Sequence, residues 1–123
     1  MSGDPPADLG FPRSRRLKQQ GEFARARSQG QRLICGCLIA NVLPRPGRLT
    51  ARLGVVTGKK VGNAVARNRA RRLMRESFRL HQHEIAGAVD LVLVARPSIG
   101  GRKLAEVERD FLRVARQAGI GSQ

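Results

Sequence analysis

The hydrophobic pattern in the first half of this 123-residue chain predicts one helix and two strands. Lys18 to Gln29 has a helical pattern of apolar and polar positions, and Gly30 follows it as a C-terminal stop. Leu33 to Leu43 is rich in apolar and small residues and predicts a strand, as does Arg52 to Thr57. Pro44 to Thr50 lies between them and carries two prolines and a glycine, which indicates a hairpin loop.

The second half of the chain predicts a helix, a strand and a final helix. Asn63 is suited to cap a helix that runs to about His83, because its side chain can accept a hydrogen bond from a free amide. Val89 to Ala95 is almost continuously apolar, as in a buried strand. Apolar residues from Leu104 to Ala118 recur at helical spacing, and Gly119 ends that helix. The order α-β-β-α-β-α indicates the α+β class, with helices packed on a small sheet.

Length and apolar content are those of a single domain. The 13.5 kDa chain is 41% hydrophobic, enough for one modest core. Residues 1–12 show no periodicity and are predicted to be a disordered tail, followed by one domain over residues 13–119 and a short tail over 120–123. The longest apolar run, Leu33–Ala40, is far shorter than the roughly 20 residues of a membrane span. Residues 1–11 also lack the apolar segment of a secretory signal.

Charge narrows the choice of partner. Lysine and arginine total 24 against nine acidic residues, which gives a formal net charge of +15. Such an excess repels itself in a compact fold unless a polyanion offsets it, so nucleic acid or an anionic membrane surface is the expected partner. The excess lies in Phe11–Arg32, with net charge +6, and in Lys59–Leu80, with net charge +7, whereas Glu84–Gln123 carries +1. The binding surface is therefore expected in the first two thirds of the chain.

One side of the helix after Asn63 carries an arc of arginines. At about 100° per residue, small and apolar residues such as Ala66, Ala70 and Met74 gather on the opposite side as the core face. The polar side and its flanks hold Arg67, Asn68, Arg69, Arg71, Arg72, Arg75 and Arg79. A solvated helix face normally mixes charge signs at i,i+4 spacing, but here only Glu76 interrupts the arginines. The arc predicts a polyanion-binding face about three turns, or roughly 16 Å, long.

The turn before this helix adds two lysines. Lys59 and Lys60 stand at the positive end of the helix dipole, where free amides also favour phosphate. The turn is not a P-loop, because the glycines before the lysines are too close together and no Ser or Thr follows Lys59.

The residue pattern gives no sign that the chain itself cuts nucleic acid. Two-metal hydrolysis needs clustered carboxylates, and the acidic residues are scattered among the tail, a predicted strand and the last helix. His81 and His83 lie two apart on a helix and so face different directions. Cys35 and Cys37, two apart on a predicted strand, are expected to be reduced core residues, which indicates a cytoplasmic protein. We predict no metal, cofactor or small-molecule substrate for the protein alone.

Composition leaves two other functions open. A ribosomal protein or general RNA chaperone has similar size and charge, and binding that does not depend on a particular substrate RNA would favour it. A basic helix that binds a membrane surface or DNA is the second alternative. Against it, the helix has small residues on its other face, no tryptophan anchor and no DNA-reading motif.

The segment Lys59–Arg79 closely resembles the signature of the bacterial ribonuclease P protein family. It reads KKVGNAVARNRARRLMRESFR, in which the Arg67-Asn68-Arg69 triplet followed by basic pairs is the family's hallmark. Arg16-Leu17-Lys18 with Glu22-Phe23 resembles the family's first helix, and Val89–Arg96 resembles its later strand. The resemblance covers residues 13–117, nearly the whole predicted domain.

The resemblance implies a small basic subunit that works beside a catalytic RNA. Family members bind the RNA subunit through this helix, and they contact the 5′ leader of precursor tRNA through a cleft between the sheet and the first helix. The holoenzyme removes the leader to give mature tRNA 5′ ends, and the RNA with its Mg²⁺ ions does the chemistry. The implied fold is a two-layer sandwich like a ribosomal protein domain, with a left-handed βαβ crossover that departs from the usual right hand.

On this sequence the resemblance implies two sites. The RNA-subunit site comprises Lys59, Lys60, Asn63, Arg67, Asn68, Arg69, Arg71, Arg72, Arg75 and Arg79. The leader cleft comprises Arg16, Lys18, Phe23, Arg27, Leu38 and Asn41. Arg27, Leu38 and Asn41 stand where the family often has aromatic residues. Because stacking contributes about 1–3 kcal/mol per base, this cleft is expected to hold the leader more by charge than by stacking.

Overall fold

Three helices pack on a four-stranded sheet in this structure, a computed structural model that describes residues 16–17, 19–47, 50–85 and 88–120. The helices are α1 (Gln20–Gln29), α2 (Ala64–His81) and α3 (Leu104–Gln117). The strands are β1 (Gln31–Cys35), β2 (Leu38–Pro44), β3 (Arg52–Val56) and β4 (Val89–Ala95). Short 3-10 turns lie at Lys59–Val61, Gln82–Glu84 and Pro97–Ile99. The predicted α+β class is confirmed.

The domain extends slightly beyond its predicted C-terminal end. Ile120, which the sequence placed in the tail, is only 6% exposed and packs into the main core. The predicted tail over residues 1–12 and residues 121–123 lie outside the described part of the chain.

The strands are ordered β1-β2-β4-β3 across the sheet. β1 pairs with β2, and β2 with β4, in antiparallel register, whereas β3 runs parallel to β4. A parallel neighbour requires a crossover connection, and α2 supplies it between β3 and β4. The segment before α1 extends the β3 edge, because the Leu17 N–H donates to the Leu53 carbonyl at 2.9 Å.

Two details of the predicted strands are wrong. The single strand expected over Leu33–Leu43 is a hairpin of β1 and β2, because Gly36 takes φ +56° and turns the chain. Cys35 and Cys37 therefore do not lie on one strand, although both are buried and free as expected. The loop over residues 44–50 does not close a hairpin, since β4 lies between β2 and β3. The observed order is α-β-β-β-α-β-α.

The two faces of the sheet carry different helices. On one face α2 and α3 cover the main core, built around side chains such as Met74, Phe78, Leu91 and Phe111, in the sandwich that the resemblance implies. On the other face α1 covers a smaller core of Leu17, Ala26 and Val92, and so adds a partial third layer. α1 and α2 therefore lie on opposite faces of the sheet.

A buried ion cluster fixes α1 to the sheet. Asp90 on β4 is fully buried and accepts hydrogen bonds from Arg45 Nη1 at 2.9 Å and Arg52 Nε at 3.2 Å. Arg52 also pairs with Glu22 on α1 at 2.5 Å. Nearby, Gly54 lies so close to the Phe23 ring that a Cβ there would stand 2.3 Å from a ring carbon. Charge and close packing together set the height of α1 above the sheet.

The β1–β2 turn is held by groups from α3 and from Arg96, the residue that follows β4. The Cys37 N–H donates to Asp110 Oδ2 at 3.0 Å, and the Cys37 carbonyl accepts from the Arg96 N–H at 2.9 Å. Burial, a hydrogen bond with Asp110 and that residue's charge raise the pKa of the Cys37 thiol to about 12. Cys37 is therefore a protonated core residue, which is the small-side-chain role that the sequence predicts.

His81 joins the end of α2 to α3. Its Nδ1 lies 2.6 Å from Glu84 Oε2, its Nε2 contacts Glu108, and its ring stacks on Phe111 with centroids 6.5 Å apart. Burial lowers the pKa of His81, but the hydrogen bonds to Glu84 and Glu108, with their charges, raise it more, so the net shift is upward. When it is protonated, the His81 ring therefore stabilises the α2–α3 contact through its carboxylate partners.

The stability of this contact is expected to depend on pH. Because the folded pKa is raised, the contribution of His81 is fully present below about pH 6.5, the ordinary histidine value, and is lost as pH rises through the folded pKa. Urea unfolding across this range should show wild type losing stability relative to His81→Gln. An NMR titration should place the His81 pKa above 6.5 and show it falling in Glu108→Gln. Parallel pH profiles for wild type and His81→Gln would contradict the assignment.

Candidate RNA-binding surface and leader cleft

α2 is positioned by its cap and by its buried side. The Asn63 side-chain oxygen accepts a hydrogen bond from the Ala66 N–H at 2.9 Å, as predicted, so α2 begins at Ala64. Ala70, Met74, Ser77 and Phe78 are buried against the sheet and α3. Phe78 meets the Phe111 ring edge-on at 6.4 Å, which confirms its predicted core role. The polar side of α2 is therefore fixed to point away from the core.

The basic face of α2 consists of the predicted residues on that outward side, namely Arg67, Asn68, Arg69, Arg71, Arg72, Arg75 and Arg79. Asn68, Arg69, Arg72 and Arg75 are exposed, and the other three are half-buried. Five of the seven, with Arg16 and Glu76, line a basic groove of about 450 Å³. Arg16 was predicted in the leader cleft, but the structure places it with α2, at the β3 edge.

Internal contacts order some of these side chains. Arg71 donates to Thr57 Oγ1 at 2.7 Å and also to Asn68. Arg79 donates through Nε to Glu76 at 3.0 Å, and this hydrogen bond lowers the pKa of Glu76 against the opposing effect of burial. These contacts hold the guanidinium groups in place, which reduces the entropy lost when an anion binds.

Positive charge in the basic groove exceeds the counter-charge around it. Partial desolvation, then the charges of Arg16 and Arg71, lower the pKa of Arg75. A polyanion in the groove would relieve this repulsion. Arginine's planar fork suits phosphate oxygens, so the side chains that line the groove have the chemistry that a phosphodiester backbone needs.

The predicted residues at the start of α2 have separate roles. Lys59 and Lys60 are exposed on the 3-10 turn that precedes α2. Asn63 uses its side chain for the helix cap, so its contribution is to position the basic face. Arg69 donates to the Arg102 carbonyl and ties α2 to the turn after β4.

An aliphatic row crosses the sheet beside α1, on the face that α1 partly covers. Strand register places Ile34, Ile39, Val94 and Val56 side by side on the α1 face. Ile34 is 50% exposed and the other three are half-buried, because α1 covers the neighbouring rows instead. Phe23 packs against the same small core as Val56 and Val94. The sequence did not reveal this row, since its members come from four strands.

Only part of the predicted leader cleft lies at this row. Phe23 and the exposed Arg27 occupy the flank of α1 that overlooks it, four residues apart and so on one side of the helix. Leu38 is wrongly predicted, because alternation along β2 puts it, fully buried, in the core on the opposite face. Asn41 faces α1 but is only 4% exposed, so it is covered rather than available to a ligand. Lys18 lies outside the described residues.

No metal-binding cluster is found among the residues that the structure describes. Within them, no group of three or more His, Cys, Asp or Glu side chains is close enough to hold an ion. None of the described helices combines the length and apolar character that a bilayer crossing demands.

Known proteins resemble the chain over nearly its whole length. The family model described as Ribonuclease P matches residues 11–119. The ribonuclease P protein component of Gluconacetobacter diazotrophicus is 40% identical over 109 residues, which cover 88% of this chain and 94% of the relative. That of Halalkalibacterium halodurans is 34% identical over 105 residues, with 85% and 88% covered. The solved RNase P protein of Staphylococcus aureus has a TM-score of 0.79 at 26% identity, with 88% of this chain and 98% of that chain covered. The signature on α2, the fold and these relatives agree, and the chain belongs to the ribonuclease P protein family.

Proposed function

We propose that this chain serves ribonuclease P through two surfaces on opposite sides of its sheet. The basic face of α2, with Lys59, Lys60 and Arg16, holds the RNA subunit, and the cleft beside α1 holds the 5′ leader of precursor tRNA. As a family member the chain is a subunit of ribonuclease P, an endoribonuclease of tRNA 5′ processing. Its task is to keep the catalytic RNA and the substrate leader in one assembly.

The observation that carries the RNA-subunit site is the basic groove. Its lining includes five arginines and one glutamate. Because the opposite side of α2 is buried in the core, the basic face must point outward. Phosphate contacts of this kind dominate RNA affinity and make it depend on salt. The groove's charge favours a polyanion over a neutral partner.

Catalysis is assigned to the RNA. The Mg²⁺ ions that the reaction needs are proposed to belong to the RNA subunit, and the described residues offer no carboxylate cluster for them. The partners that we propose are the RNA subunit and precursor tRNA, and we propose neither a small-molecule substrate nor a membrane partner. The cytoplasm, where precursor tRNA is made, is the compartment this function requires.

We propose that the leader lies on the aliphatic row, next to the flank of α1 that carries Phe23 and Arg27. Base faces can pack on Ile39 and Val94, while the Arg27 guanidinium contacts a phosphate or stacks on a base. Among the described residues, this cleft has one aromatic side chain, Phe23, and it has Arg27 where family members often have a second aromatic residue. Leader binding is therefore expected to be more electrostatic than stacking-based.

Arg27→Ala is expected to weaken holoenzyme binding to precursor tRNA about five- to ten-fold, the order of one charge-assisted contact, and to leave mature tRNA binding unchanged. Arg25→Ala is the matched control, because Arg25 is exposed on the other flank of α1. Arg27→Phe should make leader affinity less sensitive to salt, since stacking is screened less than charge. The measurement is affinity for substrates with and without a leader across a salt series. Equal weakening of both substrates by Arg27→Ala would remove Arg27 from the leader site.

A further inference from the structure

A second groove, the turn groove, lies between the start of α2 and the turn that follows β4. Val61, Ala66, Ala70 and Ile99 form its floor, and the Gly100-Gly101 backbone forms one wall. Its volume of about 350 Å³ is at the small end of the roughly 300–1,000 Å³ that is typical of ligand sites. Both grooves border α2, but no residue lines both of them.

The turn groove offers apolar contact and bare backbone. Val61 and Ala66 are half-buried and offer the accessible apolar surface of the floor, whereas Ala70 and Ile99, each 1% exposed, belong to the main core behind it. Gly101 has φ +77°, a conformation that favours glycine, so this wall presents peptide groups. A flat group with apolar faces and polar edges matches such a lining.

One described cation lines the turn groove, and two more lie on the adjoining 3-10 turn. Arg69 lies on its rim and donates to the Arg102 carbonyl, which joins α2 to the glycine turn. Lys59 and Lys60 are exposed on the same 3-10 turn as Val61. A phosphodiester held by these cations would place its base at the apolar floor, and unstacked bases are what RNA-binding proteins commonly recognise.

We propose that the turn groove takes one unstacked base of the RNA that binds the basic face of α2, with its phosphate at Arg69 and the adjoining turn that carries Lys59 and Lys60. The inference rests on the proposed function and adds to it a contact that depends on shape rather than on charge. An apolar side chain of a partner protein would satisfy the floor but would leave the cationic rim without a counter-charge.

Ala66→Leu tests the proposal by filling the turn groove from a half-buried position on α2, with a residue that favours helix. RNA-subunit affinity is expected to fall about ten-fold, the order of one lost base contact. The log–log salt slope should stay unchanged, because no cation is removed. Ala24→Leu, at an exposed position of α1 on the other side of the sheet, is the matched control and should bind like wild type. Chemical probing should find one base protected by wild type and reactive with Ala66→Leu.

Ala66→Ser provides a second test that does not depend on added bulk. It makes the floor polar at nearly constant size, and it should weaken RNA binding in the same direction by a smaller factor, with thermal unfolding reporting on the fold. Wild-type affinity for both Ala66 variants, with no change in probing, overturns the proposal. A shallower salt slope for Ala66→Leu also overturns it, because the loss would then come from displaced cations. A different result would contradict the proposed function itself. In that case the double variant Arg67→Ala with Arg72→Ala, in which the turn groove is intact, would bind the RNA subunit with wild-type affinity.

Discussion

Replacing Asp90 with alanine is expected to lower the free energy of unfolding by about 3–5 kcal/mol. The carboxylate is fully buried and pairs with Arg45 and Arg52, and Arg52 continues the cluster to Glu22 on α1. Its removal leaves two guanidinium groups facing each other with Glu22 as the remaining acid of the cluster. A protein of this size has about 5–15 kcal/mol in total, so the loss is a large fraction.

Two controls identify the cause of this loss. Asp90→Asn keeps the volume and one acceptor and should cost less than alanine. Glu106→Ala removes an exposed i,i+4 pair with Arg102 and the hydrogen bond that Glu106 accepts from the Lys103 N–H at the start of α3, and it should cost much less than Asp90→Ala. Urea unfolding followed by circular dichroism gives the free energies. A loss below about 1 kcal/mol for Asp90→Ala would mean that the buried ion cluster does not hold α1 to the sheet.

The combined change of Arg67, Arg69 and Arg72 to alanine is expected to weaken RNA-subunit binding roughly a hundredfold or more at moderate salt. These side chains point away from the core, and of the three Arg69 makes one exposed contact, with the Arg102 carbonyl, so the fold should persist. Each lost phosphate contact should also lower the log–log salt slope by about 0.7–0.9. The measurement is affinity for the RNA subunit across a salt series, with circular dichroism as the check on folding.

A control variant must separate the effect of lower net charge from the effect of where the lost arginines lie. Changing Arg109, Arg113 and Arg116 to alanine removes the same charge from exposed positions of α3. This control should weaken RNA binding only slightly, through reduced long-range attraction. Equal losses in the two triple variants would show that RNA senses the total charge and that the basic face of α2 has no special role.

Local patterns explain which parts of the fold could be predicted. The Asn63 cap, the extent of β4 and the buried side of α2 depend on neighbouring residues and on helical or strand periodicity. The β1–β2 turn was missed because apolar residues flank Gly36, and the turn depends on Asp110 and Arg96, distant in sequence, to hold it. The position of β4 between β2 and β3 likewise depends on long-range pairing.

The two sites also differ in whether local sequence patterns or long-range contacts define them. The basic face of α2 belongs to one helix, so a helical wheel located all its residues. The leader cleft depends on strand register and on which face α1 covers, so Leu38 was assigned to the wrong face and the covered Asn41 was counted as a contact. Ile39, between them on β2, is the residue that reaches the aliphatic row.

The central claim is that this protein assists an RNA that does the cutting, and reconstitution with its RNA subunit and a precursor tRNA at low Mg²⁺ tests it most directly. We expect cleavage at the mature 5′ end only when the RNA subunit is present, and stronger cleavage with the protein than with the RNA alone. The Arg67, Arg69 and Arg72 variant should lose most of this stimulation. Cleavage by the protein without RNA, after stringent removal of contaminating nucleases, or a rate with RNA that the protein does not change, would contradict the account.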